Sequence, residues 1–274
     1  MEQTRVSYGE VWLVDGDSSV VVAPRRGGMV TSFNVAGREV FAMDDASFAD
    51  ETKNVRGGVP LLFPSPGRLT DDVWAGGPMK QHGFARNHGF DVVDRAGDRV
   101  SLRLRSSDVI EPSYAYPFEL LTTYSVAGRT LRIEAEIKNQ GTEPMPMGFG
   151  IHPYFAVEQA QKSSVRIPTR ATRVFDNRAK MERAFTGLDL DGEEVDLHFL
   201  DHGTAEASLL SPDLVVALRA SPEFSHWVVW TLRGKDFVCL EPWTCPPDML
   251  RTGNRLIAVP PGQSQKLWIE IRVS

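Results

Sequence analysis

The chain has 274 residues, a hydrophobic fraction of 42%, a charged fraction of 24% and a formal net charge of −6. These values are ordinary for a globular protein and exclude wholesale disorder, and an acidic balance without a basic cluster argues against a nucleic-acid partner. No apolar segment follows Met1–Arg5 and no apolar run approaches the roughly 18 residues that span a bilayer, so we expect a cytoplasmic protein without a membrane partner.

Apolar and polar residues alternate along much of the chain, which is typical of strands that bury one face. The expected strands, in chain order, are Val11–Val14, Val20–Ala23, Met29–Val35, Val100–Leu104, Leu120–Val126, Leu131–Lys138, His226–Thr231, Phe237–Leu240 and Leu267–Val273. A short helix is expected only within Asp44–Asn54. With 23 glycines and 18 prolines as punctuation, the sequence predicts an all-β fold, one large antiparallel β-sandwich domain over residues 1–274.

Four segments break this alternation without resembling simple turns. Long irregular segments on a β scaffold are where binding and catalysis concentrate, so the search for a site begins there. They are Asn54–Leu69, Met79–Asn87, Gly148–Phe155 and Glu241–Asn254.

Several familiar motifs are absent. The two cysteines, Cys239 and Cys245, have neither metal-ligand spacing nor a disulfide framework around them, and no glycine-rich segment leads into a phosphate-binding loop. His198 and His202 are four residues apart, which suits metal ligation only on a helix. Because their surroundings are typical of strand and turn, we expect a solvated pair, no metal and no cofactor.

Ionisable and aromatic side chains instead cluster in the irregular segments. His82 and Arg86 flank Gly83, His152 stands between glycines and aromatics, and Glu241 ends an apolar strand just before Trp243. Histidines with a carboxylate suit general acid–base catalysis, and an indole beside polar groups suits a sugar ring. Each residue also has an ordinary structural explanation: a histidine in a turn, a strand-end charge, a surface ion pair or a core tryptophan.

In these segments the chain resembles the aldose 1-epimerase (mutarotase) superfamily, including its hexose-6-phosphate 1-epimerase branch. Four motifs follow in the family's order over about residues 10 to 273: Val55-Arg56-Gly57-Gly58-Val59-Pro60-Leu61-Leu62-Phe63-Pro64, Gln81-His82-Gly83-Phe84-Ala85-Arg86, Gly150-Ile151-His152-Pro153-Tyr154-Phe155 and Leu240-Glu241-Pro242-Trp243-Thr244. The resemblance implies a galactose mutarotase-like β-supersandwich that interconverts the anomers of a sugar without a cofactor.

The resemblance also implies roles for individual residues. Glu241 would be the general base and His152, entering protonated, the general acid. His82, Arg56 and Arg86 would bind substrate. The family has an aspartate between its second histidine and the glutamate. Asp196 is the candidate, and the alternatives that stay open are Asp189, Asp191 and Asp201.

The substrate is expected to be a small sugar or a sugar phosphate. Arg56 and Arg86 suit either, and three more cations stand near them in sequence: Lys53, Arg68 and Lys80. Phe63-Pro64-Ser65-Pro66 replaces the more aromatic run of the phosphate-specific branch and weighs against phosphate. Two further hypotheses stay open, a carbohydrate-binding domain without turnover and a glycosidase or lyase that uses two carboxylates.

Overall fold

The structure is a computed structural model that describes residues 7–109 and 111–274, and most of its regular structure is strand. The strands are β1 (Val11–Asp15), β2 (Ser18–Ala23), β3 (Met29–Val35), β4 (Arg38–Glu39), β5 (Leu61–Leu62), β6 (Val73–Trp74), β7 (Gly77–Pro78), β8 (Asp91–Arg95), β9 (Arg99–Arg105), β10 (Phe118–Ala127), β11 (Thr130–Asn139), β12 (Met145–Met147), β13 (Gly150–Ile151), β14 (Tyr154–Ala156), β15 (Arg173–Asp176), β16 (Met181–Ala184), β17 (Glu194–Phe199), β18 (Glu206–Leu210), β19 (Val215–Ala220), β20 (His226–Leu232), β21 (Phe237–Trp243), β22 (Ile257–Val259) and β23 (Ser264–Val273). Two α-helices, α1 (Asp45–Ala49) and α2 (Met249–Thr252), and four short 3-10 turns, Thr70–Asp72, Ala85–Asn87, Ser106–Asp108 and Gln159–Ser164, complete the described elements.

Two large antiparallel sheets dominate the architecture. One has seven strands in the order β18-β19-β23-β11-β10-β9-β8, and the other follows β16-β15-β17-β20-β21-β13-β5 with β14 also paired to β21. A four-stranded sheet, β1-β2-β3-β4, and the small pairs β12-β22 and β6-β7 surround them. The predicted all-β antiparallel fold is confirmed.

The core lies between the inward faces of these sheets. Strand alternation sends Ile133 of β11 and Ile269 of β23 into the same buried cluster as Val229 of β20 and Leu240 of β21. This cluster draws on residues from Val11 to Val273. That the chain is one domain stays a prediction. Because the inward faces are apolar, the opposite face of the eight-stranded sheet is free to carry polar groups.

Each of the nine expected strands coincides with an observed strand. Most of the observed strands extend beyond the expected range by one to three residues. The alternating pattern of β10 and β11 is complete, and their ladder runs from Phe118 opposite Asn139 to Ala127 opposite Thr130. No helix among the described residues is long and apolar enough to cross a membrane.

The helix expected within Asp44–Asn54 is shorter than that window. It begins after Asp44, whose carboxylate accepts from the Ala46 amide, and ends at Ala49. The buried guanidinium of Arg26 reaches its last turn and donates to the carbonyls of Ser47 and Phe48, and to two more just beyond, those of Asp50 and Lys53. The Arg26 guanidinium thus binds carbonyls at the end of the helix and just beyond it, where the last turn leaves carbonyls without helical partners.

Candidate active site

The outer face of the eight-stranded sheet positions one set of polar side chains. In the antiparallel register Asp196 lies opposite Trp230, and Val228 lies opposite Glu241. Residues two apart share a face, so Trp243 lies on the same side as Glu241. The alternation that buries Leu240 therefore turns the Glu241 carboxylate away from the apolar core.

Irregular segments bring the two site histidines to this face. The backbone amide of His152 donates to the Pro60 carbonyl at 3.0 Å, which ties the turn between β13 and β14 to the segment before β5. His82 has a left-handed backbone, with φ of 70°, and Gly83 follows at 68°. A Cβ at Gly83 would lie 2.1 Å from the Phe63 carbonyl oxygen, so only glycine permits this close approach.

The polar face and these segments enclose a cavity of about 340 Å³. This is near the lower end of the ~300–1,000 Å³ range of small-molecule sites and suits one small ring. The cavity is lined by Asn54, Val55, Arg56, Arg68, Gln81, His82, Arg86, His152, Tyr154, Asn177, Lys180, Glu194, Asp196, His198, Val228, Trp230, Glu241, Trp243 and Pro247. The seven residues singled out from sequence are all among them, and of the four candidate aspartates only Asp196 is.

Glu241 and His152 are adjacent within this cavity. Oε1 of Glu241 is 3.4 Å from Nε2 of His152, and both side chains are almost fully buried. The other carboxylate oxygen accepts from the Trp243 indole N–H at 3.1 Å. Trp243 therefore holds the carboxylate in place, and its ring also meets His82 edge-on at 5.8 Å between centroids.

Burial shifts the two groups of this pair in opposite directions. It raises the pKa of the Glu241 carboxyl well above its ordinary value of 4.5, and the nearby charge of Asp196 raises it further. Burial, with the Arg86 charge, lowers the pKa of His152 to about 3. Burial therefore favours the neutral carboxyl group and the neutral imidazole, the arrangement in which the pair holds one proton. That His152 is protonated when it acts as the acid stays a prediction.

Asp196 is held in place by contacts with buried or half-buried neighbours. Its Oδ1 is 3.3 Å from Nε2 of His198, and Nδ1 of His198 is 2.8 Å from Nε2 of His226. The carboxylate beside Nε2 favours the tautomer of His198 with the proton on Nε2, in which Nδ1 accepts from His226. Asn177 donates to the second oxygen of Asp196 at 2.7 Å. These bonds fix the orientation of the Asp196 side chain.

The expected solvated pair of His198 and His202 is wrong. Both are buried, His198 in the contacts just described and His202 between Thr169 and the Glu206 carbonyl. His198 follows strand alternation, two residues after Asp196 on the same face. That alternation was the signal in the sequence that could have placed it in the site.

The cations around the cavity differ in how they are held. Arg86 donates to the Gln81 carbonyl at 2.9 Å, and its buried Nε has no hydrogen-bond partner. Burial lowers the pKa of Arg86 to about 10, so it stays charged at neutral pH. Arg68 is paired with Asp72. Lys53 and Lys80 are exposed and do not line the cavity.

Arg56 is exposed, and its guanidinium makes no hydrogen bond or ion pair with the residues that the structure describes. Its backbone amide donates to the Ser47 hydroxyl at 2.9 Å. Gly58, two residues on, has φ of 58°, and a Cβ there would lie 2.2 Å from the Val30 carbonyl. The backbone beside Arg56 is thus fixed while its side chain is free to meet a ligand.

Several lining residues were not assigned a role from sequence. Tyr154 stacks on His152 with ring centroids 4.6 Å apart, and Trp230 meets the same imidazole edge-on at 5.6 Å. Glu194 accepts from the Trp230 indole at 3.0 Å. Lys180 is held by Asn177. The contacts of Trp230 with Glu194 and His152 join distant segments, which local sequence patterns do not specify.

Comparison with known proteins agrees with this architecture. The family model described as aldose 1-epimerase matches residues 10–272, so the chain belongs to the aldose 1-epimerase family. It is accordingly an isomerase of the sugar-epimerase class. The alternative hypothesis, a carbohydrate-binding domain without turnover, is not supported.

Three relatives illustrate the breadth of the match. The chain is 33% identical to the Slr1438 protein of Synechocystis sp. PCC 6803, covering 100% of this chain and 98% of that one with a TM-score of 0.94. It is 28% identical to the plasmid protein LacX of Lactococcus lactis over 73% of this chain and 78% of LacX. It is 27% identical to a protein of Cenchrus ciliaris named putative glucose-6-phosphate 1-epimerase, over 58% of this chain and 50% of that protein.

Proposed function

We propose that the protein interconverts the α and β anomers of an aldohexose by opening and closing the ring. The observation that carries this proposal is the 3.4 Å approach of Glu241 Oε1 to His152 Nε2 inside a cavity sized for one sugar ring. Ring opening removes a proton from the C1 hydroxyl and gives one to the ring oxygen. A positioned base and a positioned acid contribute typically ~10²–10⁴ in rate each.

In this mechanism a single proton circulates. When a sugar hydroxyl donates to Glu241, it stabilises the carboxylate, and the proton of the pair moves to His152. Glu241 then takes the C1 hydroxyl proton while His152 gives its proton to the ring oxygen. Rotation about the C1–C2 bond presents the other face of the aldehyde, and the two groups reverse roles on closure. No net proton is gained or lost.

The remaining polar groups position the sugar. Nδ1 of His82 lies within hydrogen-bond distance of the Pro66 carbonyl, so this nitrogen carries the proton and Nε2 is left as an acceptor. Burial and the charge of Arg86 hold the pKa of His82 well below 6.5, which keeps the ring neutral. His82 therefore accepts from a sugar hydroxyl and does not donate to the ring oxygen. Asp196, oriented by His198, accepts from another hydroxyl.

The shifted pKa values predict an unusual pH profile. The active pair carries one proton, which is lost as pH rises through the raised pKa of Glu241, while a second is gained only near the His152 value of about 3. We expect kcat/KM, corrected for the uncatalysed reaction, to stay flat as pH falls through the ordinary glutamate range to about pH 4, and to fall as pH rises through the raised pKa of Glu241. An acid limb between pH 4 and 5, where an ordinary glutamate titrates, would contradict this assignment.

Asp196→Asn supplies an independent check of the same profile. The negative charge of Asp196 raises the pKa of Glu241, so its removal should move the alkaline limb to lower pH in addition to weakening substrate binding. An alkaline limb at the same pH in wild type and variant would show that Glu241 does not set it.

A hexose 6-phosphate is the second candidate substrate, because two guanidiniums of the cavity have unused donors. Arg56 has no partner among the described residues, and Arg86 has an unpaired buried Nε. Charge-assisted hydrogen bonds from arginine are the usual means of holding a phosphate. The mutarotation rates of glucose, galactose and glucose 6-phosphate distinguish the candidates directly.

If the phosphate is bound, Arg56→Gln is expected to raise KM for glucose 6-phosphate about tenfold or more and to leave KM for glucose nearly unchanged, because only the phosphate ester gains a charged contact worth ~1.5–3 kcal/mol. Lys53→Gln is the matched control, since Lys53 is exposed and paired with Asp50 at 3.0 Å outside the cavity. Equal changes for both sugars in Arg56→Gln would assign Arg56 to a hydroxyl and remove the phosphate candidate.

A further inference from the structure

Cys239 lies beside the acid–base pair, and the proposed reaction gives it no task. It is two residues before Glu241 on β21, so both side chains are on the same face of the strand. Its thiol is completely buried and does not line the cavity. In the sheet its register partner is Tyr154, whose ring stacks on His152.

Three different donor groups meet at this point. One donor atom each from His152, Cys239 and Glu241 lies within 4.8 Å of the other two. Three atoms no farther apart than this always leave a point within about 2.8 Å of all three, whereas zinc bonds to nitrogen, oxygen and sulfur are ~2.0–2.3 Å long. Inward movement of each donor by less than about 1 Å would complete three bonds to one ion.

We propose that His152, Cys239 and Glu241 form an inhibitory site for zinc or a similar borderline-soft divalent cation. An imidazole, a thiolate and a carboxylate are the donors that zinc prefers, and three protein ligands leave a fourth position for water on the cavity side. Binding forms one nitrogen, one sulfur and one oxygen bond to the metal, and releases the thiol proton and the proton shared by the pair. Hard cations such as Mg²⁺ and Ca²⁺, which prefer oxygen ligands, do not bind there.

Inhibition follows because the ion occupies both groups that must exchange protons with the sugar. This part of the inference rests on the proposed function, whereas metal binding itself does not. A spectroscopic test of binding is therefore separate from the test of inhibition.

Binding is measured first with Co²⁺, which substitutes for zinc and gives a thiolate-to-cobalt charge-transfer absorption when a cysteine is a ligand. The wild-type protein is expected to show this absorption at about one ion per chain, with displacement by Zn²⁺. Cys239→Ser should abolish it. Cys245→Ser is the matched control, because Cys245 is the other buried cysteine, lies next to Thr244 and is not part of the cluster.

Inhibition is measured as the mutarotation rate against Zn²⁺ concentration, with recovery after addition of a chelator. Without metal, Cys239→Ser should retain the wild-type rate. Because even residues that only support metal ligands cost ~10–100-fold in affinity, loss of the Cys239 ligand should raise the inhibitory Zn²⁺ concentration at least about tenfold. Cys245→Ser should be inhibited like the wild type.

Two results would overturn the proposal. One is the absence of a cobalt–thiolate absorption in the wild-type protein, and the other is equal Zn²⁺ sensitivity of wild type and Cys239→Ser. If the wild type does not accelerate mutarotation at all, the proposed function fails, and the cobalt spectra still decide whether the metal site exists.

Discussion

Replacing Glu241 with glutamine is expected to lower kcat for anomer exchange by about two to four decades, the contribution of one general acid–base group. Glutamine matches the carboxyl group in shape and can still accept from the Trp243 indole, but its amide cannot take up the C1 hydroxyl proton. Polarimetry of a freshly dissolved pure anomer, corrected for the spontaneous rate, gives the measurement.

The structure of this variant should be preserved. Burial favours the neutral form of the Glu241 carboxyl, so a neutral amide of the same size costs little in folding free energy and the thermal midpoint should change by no more than a few degrees. Glu194→Gln is the matched control, because Glu194 lines the same cavity but is bonded to Trp230 and lies outside the proton-carrying pair. A near-normal rate in Glu241→Gln, or an equal loss in the control, would remove Glu241 from the mechanism.

Replacing His152 with alanine is expected to reduce kcat by two or more decades, because the ring oxygen then lacks a proton donor. The substitution also removes the ring that stacks on Tyr154 at 4.6 Å and leaves a hole beside Glu241. Imidazole added to the buffer can occupy that hole, and partial recovery of the rate would distinguish a lost acid from a distorted site.

His88→Ala is the control for this variant, since His88 is half-buried against Phe84 and does not line the cavity. The double variant Glu241→Gln with His152→Ala adds a sharper criterion. Groups that pass one proton between them act as a unit, so its rate should fall little below that of either single variant. Multiplication of the two losses would indicate that the residues act separately.

The sequence predicts the β architecture well because each strand carries its own information. Alternation along β10, β11 and β23 reflects one buried face, a property of neighbouring residues that tertiary contacts only reinforce. The length of α1 is harder to predict from sequence. The Arg26 guanidinium that binds carbonyls at and beyond the end of this helix comes from a segment about twenty residues earlier.

Placement of the site residues depends on information that is not local. The choice among Asp189, Asp191, Asp196 and Asp201 follows from the register of β17 on β20, which puts Asp196 opposite Trp230. Asp201, by contrast, binds Thr172 and lies outside the cavity. The lowered pKa of His152 is also not visible in the sequence, because burial and the Arg86 charge act through space and only a folded structure brings them together.

Ring opening between Glu241 and His152 is tested most directly with a hexose labelled with ¹⁸O at the C1 hydroxyl. Anomer exchange and label retention are followed together by NMR, using whichever of the three sugars the protein accelerates most. Because the C1–O1 bond does not break when the ring opens, we expect rapid interconversion of the anomers with the ¹⁸O label retained. In Glu241→Gln the acceleration of this interconversion should be lost. Loss of the label at each turnover would indicate cleavage of that bond, as in hydrolases that use two carboxylates, and would contradict the mechanism.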